Sequence, residues 1–170
     1  MFRKDSWNIV RRSSCSLAMV NPRRAHCAEI YQSDAYCNYE HYYYDYVGNK
    51  SAYQEGFRSK PAYISRYCAA RRKLLDVGAA YGFFMEEATK RGFEAYGVEL
   101  SRSVAQHAAQ YAEVFLMPLS VMETELRFSA ITFIDSLENF EDPTGVLRKA
   151  LELLEDDGVV AVMVPILLYI

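Results

Sequence analysis

The second half of the chain carries short, unbroken apolar runs that alternate with stretches of mixed polarity. The runs lie at residues 74–77, 93–98, 114–117, 130–134 and 159–164. The mixed stretches predict helices at residues 83–91, 102–112 and 143–154. Strands that are apolar on both faces are typical of a parallel sheet covered by helices. The pattern therefore predicts a doubly wound α/β domain with a Rossmann-like, mostly parallel sheet.

Capping residues and turns mark the ends of these elements. Gly92 is placed to end the first helix, and Ser101 is placed to begin the second. The pair Asp142-Pro143 opens the third helix, because proline is tolerated in the first helical turn. Asp157-Gly158 predicts a turn into the fifth strand.

Charge divides the chain into two parts. Residues 1–73 carry 13 Lys and Arg against 6 Asp and Glu, whereas residues 74–170 carry 6 against 16. The first part also holds ten of the fourteen tyrosines, all between Tyr31 and Tyr67. This break predicts a basic, Tyr-rich leader or lid over residues 1–73 and a ligand-binding domain over residues 74–170.

The basic and aromatic residues of the leader do not interleave. Its arginine pairs lie at residues 11–12 and 23–24, ahead of the tyrosines. Single-stranded nucleic-acid binding needs cations and stacking rings together, so a nucleic-acid partner is disfavoured. We expect the tyrosines to cover a pocket mouth or a core edge.

Cysteine usage and hydropathy bear on location. The four cysteines contain no Cys-x-x-Cys pair, which indicates reduced thiols in a cytoplasmic protein and no metal site. The apolar run at 159–170 has 12 residues. Since a span needs ~20, no membrane span is predicted. Serines rather than an apolar stretch follow Arg11 and Arg12, which indicates a frayed basic leader and leaves a transit-like role open.

Ligands of doubly wound sheets bind beyond the carboxyl ends of the strands. Asp76, Glu99, Met117 and Asp135 lie at those predicted ends, and Gly78 and Gly82 leave the first turn without side chains. A ligand can therefore approach the backbone closely there. Glu99 is placed to accept hydrogen bonds from a ribose diol and argues against a 2′-phosphate. The pattern favours an adenosine-containing ligand.

Glycine spacing separates the possible nucleotides. A dinucleotide site needs Gly-x-Gly-x-x-Gly, but this turn reads Gly78-Ala79-Ala80-Tyr81-Gly82, with Ala80 at the middle glycine. No Gly-Lys-Ser/Thr follows, so a Walker loop is also absent. An NAD-dependent oxidoreductase is thus disfavoured but stays open. S-adenosylmethionine, which carries no phosphate, is the remaining common ligand.

Four segments together resemble a known family. They are LLDVGAAYG at 74–82, GFEAYGVELS at 92–101, ITFIDSLENFEDP at 131–143 and LELLEDDGVVAVMVP at 151–165. In this order they resemble the motifs of small-molecule class I S-adenosylmethionine-dependent methyltransferases of the type-12 and type-23 kind. The Tyr-rich lead-in also looks like the segment that precedes the domain in such members.

The resemblance implies a fold, a cofactor and a set of residues. The cofactor would be S-adenosylmethionine, released as S-adenosylhomocysteine, and the acceptor a small molecule. The methionine end of the cofactor would lie against Asp76, Gly78, Ala79 and Gly82. Its ribose would lie against Glu99, and its adenine against Leu100, Met117 and Leu119. Asp135 would lie near the amino group or the acceptor.

The catalytic group is less well defined. The family's usual histidine is Asn139 here, and a neutral amide cannot accept a proton at pH 7. The remaining candidates are Asp135, Glu138, the phenols of Tyr42–Tyr46 and His41, whereas His107 is expected at the surface of the second helix. A catalytically inactive S-adenosylmethionine-binding or scaffold domain is therefore the alternative function.

Family members normally continue past the fifth strand with a further helix and two strands. The resemblance therefore implies a partial domain whose fifth strand, at 159–164, is an apolar edge. Exposed apolar edges pair readily with other chains. Two alternatives stay open: the chain is a fragment, or residues 159–170 are covered by a partner chain, as in a homo-oligomer, or by the N-terminal segment.

Overall fold

The structure is a computed structural model that describes residues 2–4, 7–15, 18–21, 46–68 and 72–165. Its first elements are three antiparallel strands in the order β1-β2-β3, with bounds β1 Phe2–Lys4, β2 Trp7–Arg11 and β3 Ala18–Asn21. Two helices follow, α1 Lys50–Phe57 and α2 Lys60–Ile64.

Strands and helices then alternate through the rest of the described chain. The strands are β4 Lys73–Val77, β5 Glu94–Glu99, β6 Glu113–Leu116, β7 Phe128–Ile134 and β8 Leu154–Met163. The helices are α3 Phe83–Lys90, α4 Arg102–Ala108 and α5 Pro143–Leu153, with short 3-10 turns at Leu119–Val121 and Leu137–Asn139.

All four pairings in the larger sheet are parallel, in the order β6-β5-β4-β7-β8. The strand order reverses beside β4, as in doubly wound folds, where β4 has β5 on one side and β7 on the other. The predicted doubly wound, Rossmann-like sheet is confirmed. Its reversal point lies at the carboxyl ends of β4, β5 and β7.

Alternate residues of the central strands enter two separate cores. On β4, Leu74 belongs to the core that contains α3 and the α1 residue Phe57, whereas Leu75 belongs to the core that contains α5. Both leucines are fully buried. This burial on both faces explains why the strands read as unbroken apolar runs.

Several element ends differ from the predicted ones. Helix α4, which was predicted over residues 102–112, ends at Ala108, because the N–H of Tyr111 donates to Ala108 O in a tighter turn. Ser101 makes no side-chain cap bond to that helix. Asp157-Gly158 lies within β8, in an irregularity where the partner of Phe128 is Leu154 and the partner of Ala130 is Val159.

Helix α1 packs on α3 through an ionic contact that the sequence did not predict. Lys50 Nζ lies 2.8 Å from Glu86 Oε2, and Gln54 Nε2 donates to the same oxygen at 2.8 Å. Burial opposes ionisation of Glu86, but hydrogen bonds from Lys50 and Lys90 outweigh it and lower the pKa of that carboxyl. Through this contact, α1 packs against the domain that contains the parallel sheet. The boundary between leader and domain at residue 73 stays a prediction.

None of the helices within the described ranges combines the length and the apolar character that a membrane span requires.

Candidate ligand-binding site

A cavity of about 1030 Å³ opens at the carboxyl ends of β4, β5 and β7. Its size is at the upper end of the ~300–1,000 Å³ common for small-molecule sites. Gly78, Glu99 and Leu119 line one part of it, and Asp135 and Asn139 line another. The cavity therefore gathers residues from the ends of several strands, at the position predicted for the ligand.

The turn after β4 forms the floor of the cavity. Gly78 has φ +79, and a Cβ on this residue would lie 2.7 Å from Ser136 Cβ. Ser136 Oγ in turn donates to Val77 O at 2.6 Å. The ends of β4 and β7 are thus held together so closely that only glycine fits at residue 78.

Ala80 also adopts a left-handed conformation, with φ +47, although it is not glycine. Its N–H donates to Glu99 Oε2 at 3.0 Å and so stabilises the turn. Ala80 stands at the position of the middle glycine of a dinucleotide site, and it adopts a conformation that glycine adopts more easily. Both Ala80 and Tyr81 line the cavity.

Glu99 is the most strongly hydrogen-bonded carboxylate of the site. Besides the Ala80 bond, its Oε1 accepts from Leu100 N at 2.8 Å and from Ser101 N at 2.9 Å. Its side chain is buried to 8% exposure and still lines the cavity. A carboxylate has about four acceptor positions, so these three bonds leave capacity for a hydroxyl.

Asp76, predicted beside the methionine end, lies beneath the turn rather than in the cavity lining. It is 2% exposed, and its Oδ1 accepts from Thr132 Oγ1 at 2.7 Å. Burial raises the pKa of Asp76 to about 7, the Thr132 bond opposes the rise, and the charge of Glu99 adds to it. Asp76 is placed to support the turn rather than to touch a ligand.

Asp135 follows β7 and is exposed at the cavity, with φ +50. Its N–H donates to Met163 O of β8 at 2.8 Å, which holds this unusual backbone in place. Asn139 Nδ2 donates to Asp135 O at 3.4 Å. Left-handed non-glycine residues are uncommon and are often found at functional sites.

The predicted adenine residues separate into two groups. Leu100 and Leu119 line the cavity, whereas Met117 is not in its lining and packs instead against the core that contains α5. Ala79 and Gly82, which were predicted beside the methionine end, belong to the turn but are not in the cavity lining. Ala79 is buried at 4% exposure, and a Cβ on Gly82 would lie 2.9 Å from Ala108 Cα.

Three aromatic residues from the segment before the parallel sheet line one wall of the cavity. They are Tyr46, Tyr53 and Phe57, from the turn before α1 and from α1 itself. Tyr46 is one of the candidate phenols of Tyr42–Tyr46, and the expectation that tyrosines cover a pocket mouth was the signal for Tyr53. No pattern in the sequence indicated Phe57. His41 and Tyr42–Tyr44 lie outside the described residues.

His107, expected at the surface, is half-buried. Its Nδ1 donates to Tyr81 O at 3.1 Å, and its ring makes an edge contact with the Tyr81 ring at 5.1 Å. It therefore supports the cavity turn. In the described part of the chain, no group of three or more His, Cys, Asp or Glu residues is placed to hold a metal ion.

Solved structures with the same architecture are methyltransferases. One is magnesium protoporphyrin IX methyltransferase from Synechocystis PCC 6803 with bound SAM, with TM-score 0.58, 13% identity, and 79% of this chain and 74% of that chain covered. Another is the SAM-bound amino pentose methyltransferase of calicheamicin biosynthesis from Micromonospora echinaspora, with TM-score 0.60, 17% identity, and 74% and 58% covered. The sheet therefore has the class I methyltransferase fold.

The chain belongs to the type-23 methyltransferase domain family, whose model matches residues 50–168. The predicted family is thereby confirmed. Among curated proteins, the ubiquinone biosynthesis O-methyltransferase of Alkalilimnicola ehrlichii is 32% identical over 96 residues, which cover 51% of this chain and 39% of that protein. The enzyme of the same name from Pasteurella multocida is 27% identical over 107 residues, with 52% and 44% covered. The chain thus spans less than half the length of these relatives.

Proposed function

We propose that the protein is an S-adenosylmethionine-dependent methyltransferase that acts on a small-molecule acceptor. The observation that carries this proposal is the cavity that opens onto both the glycine turn at Gly78 and the carboxylate of Glu99. Family membership and the SAM-bound structural neighbours support it.

The residues around the turn fit the cofactor. Gly78 lines the cavity and carries no side chain, so a ligand can contact its backbone. Glu99 faces the cavity with acceptor capacity for a ribose hydroxyl, and Leu100 and Leu119 supply apolar surface for adenine. When bound, S-adenosylmethionine would supply an electrophilic methyl carbon on a sulfonium.

The other end of the cavity suits an acceptor. Asp135 is exposed there, and its carboxyl oxygens can accept a hydrogen bond from an acceptor hydroxyl and orient it. Tyr46, Tyr53 and Phe57 cover the same cavity with aromatic surface, which would exclude water from the reacting groups. Alignment and water exclusion are the contributions these side chains can make to methyl transfer.

A domain that binds S-adenosylmethionine without turnover is the second candidate. It is favoured by Asn139, which lies at the cavity, donates to Asp135 O, and cannot act as a base. The relatives' name points to O-methylation, in which a hydroxyl must lose its proton. If the protein does methylate a hydroxyl, the group beside Asn139 that can accept this proton is the carboxylate of Asp135.

Calorimetric titration with S-adenosylmethionine, S-adenosylhomocysteine and NAD tests the proposal. We expect both sulfur ligands to bind and NAD to bind far more weakly, because Ala80 occupies the position of the middle glycine. Tight NAD binding without a response to the sulfur ligands would overturn the proposal. Binding without turnover over a broad acceptor panel would favour the second candidate.

Three further expectations from the sequence stay predictions. They are the cytoplasmic location, the lack of a nucleic-acid partner, and a homo-oligomer through the β8 edge. Cell fractionation and measurement of the solution mass test the first and the last.

A further inference from the structure

Three tyrosine rings form a nearly parallel stack in the cavity wall. The Tyr46 ring lies between Tyr53, at 4.0 Å and 18°, and Tyr81, at 5.2 Å and 21°. All three residues line the cavity. Phe83, which is buried, lies beside the stack, with its ring 5.6 Å from Tyr46, 6.4 Å from Tyr53 and 6.1 Å from Tyr81.

The two outer rings belong to well-anchored elements. Tyr53 lies on α1, which is held to α3 by the ion pair of Lys50 with Glu86 and by Phe57 against Phe84 at 5.8 Å. Tyr81 lies in the turn after β4, where its carbonyl accepts from His107. Their spacing is therefore set by the fold.

The middle ring has a different origin. Tyr46 lies in the turn at residues 46–49, outside the helix that begins at Lys50. Its ring thus enters the gap between two anchored rings from a connecting segment. Segments of this kind move more readily than the elements they join.

We propose that Tyr46 occupies the place of a flat aromatic acceptor, which binds between Tyr53 and Tyr81 and displaces the Tyr46 ring. This inference rests on the proposed function, because it names the acceptor class for the same cavity. Parallel rings match a planar molecule, whereas a cation would be held by rings set at large angles around it. The near-parallel angles of 18° and 21° favour the planar ligand.

The proposal predicts opposite effects at neighbouring tyrosines. If Tyr46 competes with the acceptor, the apparent affinity is reduced by the fraction of molecules in which the slot is filled. Tyr46→Ala should then bind a flat ligand about fivefold more tightly, and Tyr46→Phe should stay within about twofold of the wild type, since phenylalanine still stacks. Tyr53→Ala removes one side of the slot and should weaken binding about fivefold.

Binding of 2-naphthol, followed by its fluorescence in the presence of saturating S-adenosylhomocysteine, measures these effects. Decahydro-2-naphthol is the saturated control and should compete about tenfold more weakly, because it cannot stack. Tyr63→Ala is the matched control variant, since Tyr63 is 58% exposed on α2 and is not in the cavity lining. It should leave the affinity unchanged, and thermal melting confirms that each variant is folded.

Weaker binding of 2-naphthol by Tyr46→Ala would overturn the proposal, because Tyr46 would then be part of the binding wall. Equal binding of the flat and saturated compounds would also overturn it. These outcomes are separable from failure of the proposed function, which is tested by titration with S-adenosylhomocysteine alone. If S-adenosylhomocysteine does not bind but the tyrosine variants change 2-naphthol binding as predicted, the aromatic slot is supported and the proposed methyltransferase function is rejected.

Discussion

Asp76 and Glu99 lie at the carboxyl ends of neighbouring strands and are both buried, but their carboxyl groups are stabilised differently. Glu99 accepts three backbone N–H bonds, which compensate a buried charge. Asp76 has the single bond to Thr132, and burial raises its pKa to about 7. At each position the sequence shows only an acidic residue at a strand end, so this difference comes from the surrounding backbone.

Replacement of Asp76 by Asn should change the pH dependence of stability. The folded pKa of about 7 exceeds the ordinary value of 3.8, so the native state holds a proton that the unfolded state has lost between these pH values. The free energy of unfolding should therefore fall as pH rises through this window, by up to about 1.4 kcal/mol per pH unit. Asp76→Asn should remove this fall and be the more stable protein at pH 8, as measured by urea denaturation from pH 4 to pH 8.

The control for this experiment is Asp156→Asn, because Asp156 is exposed on β8. It should keep the wild-type pH dependence. If Asp76→Asn keeps it as well, the pKa of Asp76 is not raised in the folded protein.

One substitution removes both the proposed ribose contact of Glu99 and the bonds that its carboxylate accepts from backbone N–H groups. Glu99→Ala should weaken S-adenosylmethionine binding by about 1–3 kcal/mol through the lost ribose contact, and should also destabilise the turn whose amides it accepts. Calorimetry measures the first effect and thermal unfolding the second. Glu113→Ala, at an exposed residue of β6, is the control. Unchanged affinity in a folded Glu99→Ala variant would remove Glu99 from the site.

At the scale of elements, the turn between β4 and α3 depends on close packing against α4. Gly82 has φ +80, and a Cβ there would lie 2.9 Å from Ala108 Cα. Gly82→Ala should destabilise the protein by about 2–5 kcal/mol, because the backbone strain adds to the displacement of a helix.

Gly56→Ala is the matched control for Gly82→Ala. Gly56 lies in α1, and apart from its chain neighbours and its own helix backbone no atom of the described residues lies within 4 Å of its would-be Cβ. Alanine there should therefore stabilise the protein by about 0.5–1 kcal/mol through helix propensity. Urea denaturation measures both variants. Equal effects of the two substitutions would contradict the packing argument.

Element prediction succeeded where the signal was local. The strand at 130–134 was predicted because its residues are apolar, and it is part of β7. Helix α1 was not predicted, since it is amphipathic over only eight residues, and contacts such as Lys50 with Glu86 stabilise it. The irregularity in β8 was missed because Gly158 normally indicates a turn, whereas here a Cβ would lie 2.9 Å from Phe128 O.

At the scale of the whole molecule, β8 is an edge of the described sheet, paired there with β7. Val162 on this strand is 47% exposed. If the predicted pairing through this edge occurs, the wild type should associate with rising concentration, and Val162→Lys should reduce the association, because edge lysines oppose strand pairing. Sedimentation equilibrium measures it. Val121→Lys, 63% exposed on a 3-10 turn, should leave the association unchanged.

Local patterns in the sequence determined the order of strands and helices from residue 74 onward, the glycine turn at Gly78, and the positions of Glu99 and Asp135, because strand periodicity and strand ends are properties of neighbouring residues. Packing decided which of these side chains reach the cavity. Asp76 and Met117 turned away from it, and Tyr46 entered between Tyr53 and Tyr81. Those contacts join distant parts of the chain, so only the folded backbone sets them.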